Sequence, residues 1–149
     1  MEKSKRFGHQ IKLLSNAFEQ AINKNCELSG LTGAQAFMMG YVVNHPETPI
    51  YAKTLEQEFH LKHPTVCGIL QRLESKGLIK AETCTNDRRM RFVTITEKGL
   101  AIHRAMRENM RRNDRVISKG LCDAEMEQLN ALLTRVLNNL NESENEETL

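Results

Sequence analysis

A change of hydrophobic period at Gly77 constrains the fold of this 149-residue chain more than any other feature. Before Gly77, Val66, Ile69, Leu70 and Leu73 recur at helical spacing. After it, the runs L-I-K-A-E-T-C and R-F-V-T-I-T are β-prone. Glycine at this position favours a left-handed helix stop. The sequence therefore predicts a helix that leads directly into a β-hairpin, whose tip is the polar run T-N-D-R-R-M.

A shorter helical segment lies just before this helix. Leu55 and Phe59 share one face of Y-A-K-T-L-E-Q-E-F, and H-L-K separates that segment from H-P-T-V-C-G-I-L-Q-R-L-E-S-K. Pro64 fits a helix start, because its missing N–H would have no intrahelical acceptor there. The two segments predict a helix-turn-helix, a motif whose second helix enters the DNA major groove.

Two further helices are predicted on the N-terminal side. Apolar residues from Phe7 to Ile22 keep a helical spacing. Thr32 and Gln35 form a capping-box pair at the start of the next helix, which runs to about Asn44, where H-P-E-T-P halts it.

Two more helices are predicted behind the hairpin. Thr96 is a candidate N-cap for a long helix that ends at Gly120. A last helix begins after Asp123, and its apolar face consists of Met126, Leu129, Leu133, Val136, Leu137 and Leu140.

Together these segments predict one mainly α domain with a small β-hairpin. We expect a winged helix-turn-helix over residues 32–96, long helices at 5–28 and 97–141, and a disordered tail at 142–149. The long helices carry more apolar surface than one half-domain can cover, which favours a homodimer formed through them. An intramolecular antiparallel bundle is the alternative.

Charge is unevenly distributed along the chain. The formal net charge is only +2, yet residues 85–119 carry 10 Lys and Arg against 4 Asp and Glu, and residues 120–149 carry 1 against 7. A concentrated cationic segment suits a surface that meets a polyanion such as double-stranded DNA. A solvated basic helix is the simpler alternative.

The second helix of the helix-turn-helix presents hydrogen-bonding groups opposite its apolar stripe. Thr65 can bond phosphate or base, Gln71 can pair with adenine, and Arg72 can pair with guanine or phosphate. Gly68 costs about 1 kcal/mol relative to alanine in a helix interior, which close approach to DNA or packing against another helix would explain. The residues predicted to contact DNA from this region are Lys53, Lys62, His63, Pro64, Thr65, Gly68, Gln71 and Arg72.

The hairpin tip carries three arginines and one acid. Arginine suits a narrow, electronegative minor groove, so Arg89 is predicted to reach the groove, and Arg88 and Arg91 to contact the DNA backbone. Asp87 is predicted to hold the Arg89 guanidinium through a bidentate pair. A solvated surface loop is the alternative.

From T-V-C-G-I-L-Q-R-L-E-S-K-G-L-I-K through N-D-R-R-M-R-F-V-T-I-T-E-K-G, the chain resembles the MarR (multiple antibiotic resistance regulator) family of winged-helix transcription factors. The family pattern there is T-V-x-x-x-x-x-x-L-E-x-x-G-L-[VI], then D-x-R, then L-T-x-x-G, and the likeness extends over about residues 5–141. Two departures are visible: Ala81 stands where an arginine is common, and Ile95-Thr96 replaces Leu-Thr.

The resemblance carries expectations for individual residues and for function. It implies that Asp87 and Arg89 are the wing's Asp and Arg and that Thr65 is the recognition-helix Thr. It also implies a transcription factor that binds palindromic DNA as a homodimer through its first and last helices, and we expect this chain to act as a repressor. In this family a small ligand, bound between the dimerisation and DNA-binding parts, often releases the DNA.

An effector site is predicted from aromatic and methionine residues on helices that should meet between the two functional parts. An apolar or aromatic small molecule would suit such a pocket, although the same spacing fits an ordinary core. The candidate residues are Phe18, Phe37, Met38, Tyr41 and Met106.

Several classes of protein are disfavoured by the sequence. It contains no phosphate-cradling glycine loop, no H-E-x-x-H and no G-x-S-x-G, so we expect neither an enzyme nor a cofactor. No apolar run approaches the roughly 20 residues that cross a bilayer, so a cytoplasmic protein without membrane contact is expected. The cysteines are too dispersed to indicate a disulfide framework or a zinc ribbon.

Three alternatives stay open at this level. A metal sensor would need convergence of His9, Cys26, His45, His60, His63 and His103. A thiol redox sensor would use Cys67 or Cys84, which flank the predicted DNA surface. A helical protein-interaction module would use the apolar helix faces for an unrelated partner.

Overall fold

The computed structural model describes residues 2–146 and confirms a mainly helical fold with a small antiparallel sheet. It forms one unit up to Arg111 and a second from Arg112 onward. The helices are α1 (Glu2–Cys26), α2 (Gly33–Asn44), α3 (Ala52–Phe59), α4 (His63–Ser75), α5 (Glu97–Ile117) and α6 (Asp123–Glu146), and the strands are β1 (Ile50–Tyr51), β2 (Ile79–Thr83) and β3 (Arg91–Ile95).

The connection between α1 and α2 is set by local chemistry. A 3₁₀ turn, Glu27–Ser29, follows α1, and Gly30 then adopts a left-handed conformation with φ of 68°. The regular helix therefore ends at Cys26, two residues before the predicted boundary, because glycine takes this conformation without a Cβ penalty. Thr32 and Gln35 form the predicted capping box, with both hydrogen bonds at 3.3 Å.

Helix α2 lies at the centre of the first unit and is buried nearly all round. Ala36, Met38, Met39 and Val42 are among its buried residues, as expected for a helix that is apolar on every side. The side chain of Asn23 accepts a hydrogen bond of 2.8 Å from the Gly33 amide, which ties α1 to the start of α2.

The helix-turn-helix packs through the stripe predicted from the sequence. Leu55 of α3 and Val66, Ile69 and Leu73 of α4 are buried. Phe59 packs against this core and is half-buried. The opposite face of α4 is thereby directed away from the core.

A three-stranded antiparallel sheet carries the hairpin. Its strand order is β1-β3-β2, with Ala81 of β2 and Ile50 of β1 both paired to Val93 of β3. The sequence predicted β2 and β3 but not β1. A strand of only two residues, just after two prolines, has no periodicity of its own, and only pairing with distant β3 defines it.

The predicted disordered tail at 142–149 is wrong for residues 142–146. Helix α6 runs to Glu146, whereas residues 147–149 lie outside the described residues. Glutamate has a good intrinsic helix propensity, so a helix already started by its apolar face continues into a polar end. Most of that face is exposed in the second unit, including Leu133, Leu137 and Leu140.

Within residues 2–146, no helix combines the length and apolarity needed to cross a membrane.

Candidate nucleic-acid interface

Helix α4 presents a continuous polar surface. His63, Pro64, Thr65, Gln71 and Arg72 are all exposed, as their positions opposite the buried stripe predict. The Lys62 carbonyl accepts the amides of Thr65 and Val66 at 3.0 and 3.2 Å, which fixes the first turn of the helix. Lys53 on α3 is exposed as well.

Gly68 lies on this surface with open space in front of it. A Cβ placed there would meet no described atom within 4 Å outside the helix's own neighbourhood. Packing against another helix, one of the two explanations for this glycine, is therefore absent from the described part of the chain.

The turn between β2 and β3 is built by backbone and carboxylate hydrogen bonds. The Cys84 amide donates to the Met90 carbonyl at 2.8 Å, and the Met90 amide donates to the Asp87 carbonyl at 3.0 Å. The Asp87 carboxylate accepts the backbone amide of Arg89 at 2.9 Å. Arg88 and Arg89 are both exposed at this tip.

The role predicted for Asp87 needs correction. Its carboxylate was expected to pair with the Arg89 guanidinium, but it caps the Arg89 amide in an Asx-type turn. A short side chain two residues before an amide reaches that amide easily, and this local bond competes well with a long flexible partner. Asp87 therefore shapes the backbone on which Arg89 stands.

Arg91 is tied to the wing's own backbone. Its guanidinium donates to the Ala81 carbonyl across the hairpin at 3.4 Å, while the Ala81 amide donates to the Glu74 carboxylate at 3.3 Å. These bonds connect the C-terminal end of α4 to both strands of the hairpin. Helix and wing are thereby held next to each other.

His63 is engaged through both ring nitrogens. Nδ1 bonds the Glu56 carboxylate of α3, and Nε2 lies 3.3 Å from Sγ of Cys67, one turn further along α4. Sequence reasoning missed Glu56, because the contact spans the turn between two helices and has no periodic signal. Cys67 was a predicted redox candidate, but its contact with His63 was not predicted.

The predicted effector residues lie in three different environments. Phe18 and Phe37 stack with ring centroids 6.0 Å apart and line a cavity of about 230 Å³ between α1 and α2. Met38 and Met106 are buried core residues, which is the alternative that their spacing left open. Tyr41 stacks on His45 and meets the edge of Phe59 instead.

The described residues do not form the metal site that the sequence left open as an alternative. Residues 2–146 contain no group of three or more His, Cys, Asp or Glu side chains arranged to hold a metal ion. The histidines and Cys26 proposed for such a site are thus not assembled into one.

Comparison with known proteins assigns this surface to a family. Residues 29–90 match the model of the MarR family, a range that begins just before α2 and contains both helices of the helix-turn-helix, β2 and the Arg-rich turn. Residues 29–90 are thus a MarR-family segment. The resemblance drawn from the α4 and wing motifs is therefore confirmed.

Solved structures of MarR-type regulators share this fold. The S. aureus MepR–DNA complex matches with a TM-score of 0.83 at 22% identity, over 89% of this chain and 97% of that chain. MarR from Oenococcus oeni PSU-1 matches with 0.78 at 24% identity, over 89% and 98%. The transcriptional regulator SlyA matches with 0.82 at 20% identity, over 92% and 95%. The chain thus shares the fold of these regulators over most of its own length and nearly all of each solved chain.

Proposed function

We propose that this chain is a MarR-family transcriptional repressor that binds double-stranded DNA as a homodimer. The observation that carries the proposal is the exposed polar face of α4 beside a wing that carries three exposed arginines. In a winged helix, such a helix reads the major groove while a basic hairpin reaches the adjacent groove or backbone. The DNA complex of MepR, which has the same fold, supports this assignment.

The residues of the interface take distinct roles. Thr65, Gln71 and Arg72 read base edges or bond phosphates, and Gly68 lets the α4 backbone come close to the groove. Lys53 and Lys62 anchor phosphates, with His63 and Pro64 at the tip of the helix beside them. Arg89 enters the minor groove from the wing, Arg88 and Arg91 contact the backbone, and Asp87 holds the turn.

Dimerisation is supported by apolar surface that one chain leaves uncovered. Leu13 and Leu14 of α1 are exposed, and so are several leucines of α6. Burial of such surface against a second copy is favourable at about 25 cal/mol per Å² of apolar area. A two-fold dimer implies a pseudo-palindromic operator with half-sites roughly one helical turn, about 10 base pairs, apart.

Release by a small apolar or aromatic effector completes the proposal. The cavity beside Phe18 and Phe37 lies between α1, a proposed dimerisation helix, and α2, at the centre of the DNA-binding unit. A flat aromatic molecule can extend the existing ring stack there. Occupancy of this cavity would shift α1 relative to α2 and alter the spacing of the two recognition helices.

The salt dependence of DNA binding tests the proposed function. An operator is first selected from a random duplex library with the wild-type dimer, and its affinity is measured over a range of salt concentrations. We expect the logarithm of affinity to fall linearly with the logarithm of salt concentration, and Arg89→Ala to reduce the slope by about one unit.

Arg135→Ala is the matched control for that measurement. Arg135 is an exposed arginine on α6, so the substitution removes the same charge from an element outside the proposed interface. Its slope should equal that of the wild type. A wild-type affinity that does not depend on salt, or equal losses in the two variants, would favour the protein-interaction alternative.

A further inference from the structure

Three side chains form a hydrogen-bonded chain across α3 and α4. Glu56 bonds Nδ1 of His63, and Nε2 of His63 lies 3.3 Å from Sγ of Cys67. Because a carboxylate only accepts hydrogen bonds, Nδ1 carries the hydrogen, and Nε2 is left to accept the thiol proton. A nucleophile, a base and a group that orients the base are thus in sequence.

Cys67 also faces a cavity. A space of about 350 Å³ lies between α4 and the sheet, and Cys67 is one of its lining residues. Its apolar walls include Leu70 and Val93, and Glu74 and Arg91 supply charged groups. This volume and mixture of groups are typical of sites for small organic molecules.

We infer that Cys67 is a covalent modification site for small α,β-unsaturated carbonyl compounds, and that the adduct releases DNA. The Glu56–His63–Cys67 chain supplies the reactivity, and the adjacent cavity supplies room for the carbon skeleton. The release of DNA rests on the proposed function, whereas the reactivity of the thiol does not.

The reaction is an addition and needs no oxidant. Cys67 passes its proton to Nε2 of His63, and Glu56 stabilises the imidazolium that results. The thiolate attacks the β carbon, so an S–C bond forms while the C=C π pair moves to give an enolate. The α carbon of the enolate takes the proton back from His63, which leaves a thioether and a neutral imidazole.

The adduct lies where it interferes with both halves of the DNA interface. Gln71 and Arg91 line the same cavity, and the first is assigned to base reading and the second to the DNA backbone. A molecule held between α4 and the hairpin displaces their side chains. It also changes the distance between recognition helix and wing, which the bonds from Glu74 and Arg91 to Ala81 otherwise fix.

The first test compares cysteines within one molecule. Cys122 is exposed like Cys67, but no described side chain is hydrogen-bonded to its thiol. Cys26 is a second reference, because burial raises the pKa of its thiol. With cyclohexenone as the probe and peptide mass spectrometry as the readout, Cys67 should react about 100-fold faster than Cys122, the scale of a positioned base. Equal rates at Cys67 and Cys122 would overturn the inference.

Glu56 variants test the orienting role separately from folding. Glu56→Gln should slow the reaction of Cys67 about tenfold, on the scale of loss of an oriented partner, and leave Cys122 unchanged. Glu56→Asp keeps the carboxylate and should restore part of the reactivity. Unaltered reactivity in Glu56→Gln would show that the carboxylate has no such role.

The final measurement joins reactivity to DNA binding. Cyclohexenone should weaken operator binding by wild-type protein, whereas Cys67→Ser should bind the operator with and without the compound. Full modification of Cys67 without weaker binding would overturn the regulatory part. If the wild-type protein binds no DNA, the proposed function and the release of DNA by the adduct are both overturned. The relative reaction rates of Cys67 and Cys122 would still test the reactivity of the Cys67 thiol.

Discussion

Gly99 lies directly against the backbone of Leu78, since a Cβ on Gly99 would sit 2.1 Å from the Leu78 carbonyl oxygen. The same junction is held by Thr96, whose hydroxyl donates to the Gly77 carbonyl at 2.6 Å and accepts the Gly99 amide at 3.0 Å. The turn that follows α4 and the start of α5 therefore meet through backbone atoms. This contact explains in physical terms why the motifs G-L-I and T-E-K-G occur together.

Gly99→Ala should destabilise the first unit. The clash involves a backbone carbonyl rather than the end of a flexible side chain, so the chain must shift, at about 1–3 kcal/mol for an overpacked site. Urea unfolding followed by circular dichroism measures the loss. Gly8→Ala on α1, where a Cβ meets nothing within 4 Å, is the control and should gain up to about 1 kcal/mol. A Gly99→Ala protein as stable as the wild type would contradict the reading of this junction.

Gly68→Ala should change stability and DNA affinity in opposite directions. With no described atom near the added methyl group, the variant gains about 0.5–1 kcal/mol of helix stability. If the α4 backbone approaches the groove closely, the same methyl group weakens operator binding. Urea unfolding and a fluorescence titration with operator DNA give the two values. Unchanged affinity in a stabilised variant would remove Gly68 from the interface.

His103 should make the fold less stable in mildly acidic solution. Burial, with a further contribution from Arg107, lowers the pKa of His103 below its ordinary value of 6.5, and its buried Nδ1 has no partner among the described residues. As pH falls through 6.5, the unfolded chain takes up a proton before the folded chain does. The contribution of His103 to the free energy of unfolding is therefore fully present above pH 6.5. It is lost as the pH falls from 6.5 to the lower pKa of the folded state.

His103→Phe should remove that contribution. Urea midpoints measured on either side of pH 6.5 should differ less in this variant than in the wild type. His9→Gln, which changes an exposed histidine on α1, should keep the full wild-type difference. An identical pH dependence in wild type and His103→Phe would assign the effect to other groups.

Features encoded within a few residues were predictable from the sequence. Thr32 and Gln35 are three residues apart, and Thr96 accepts the Gly99 amide at the same spacing. Each helix cap is therefore determined by residues that are close in the sequence. The buried stripe of α4 follows one helical period. The wing followed from a change of period next to a turn-forming run.

Features that depend on distant partners were not predictable in the same way. Strand β1 exists because Ile50 meets Val93, 43 positions along the chain. Glu56 meets His63 only after the turn between α3 and α4 is formed. Asp87 was assigned the wrong partner because the sequence names two adjacent candidates, the amide and the guanidinium of Arg89, and only turn geometry selects between them.

The proposed homodimer predicts that a charge at Leu133, on the exposed face of α6, disrupts the interface between the two copies. Leu133 is 44% exposed in the single chain, and Leu137, one turn away, is 43% exposed. A charge at the centre of an interface built from such leucines would be buried without a partner, which is strongly unfavourable. Leu133→Glu should therefore shift the protein from dimer to monomer at micromolar concentration in analytical ultracentrifugation and weaken operator binding in parallel. Gln128→Glu adds the same charge at an exposed polar position of α6 and should stay dimeric. If Leu133→Glu is also fully dimeric, or if the wild type is itself monomeric, α6 does not form the dimer interface.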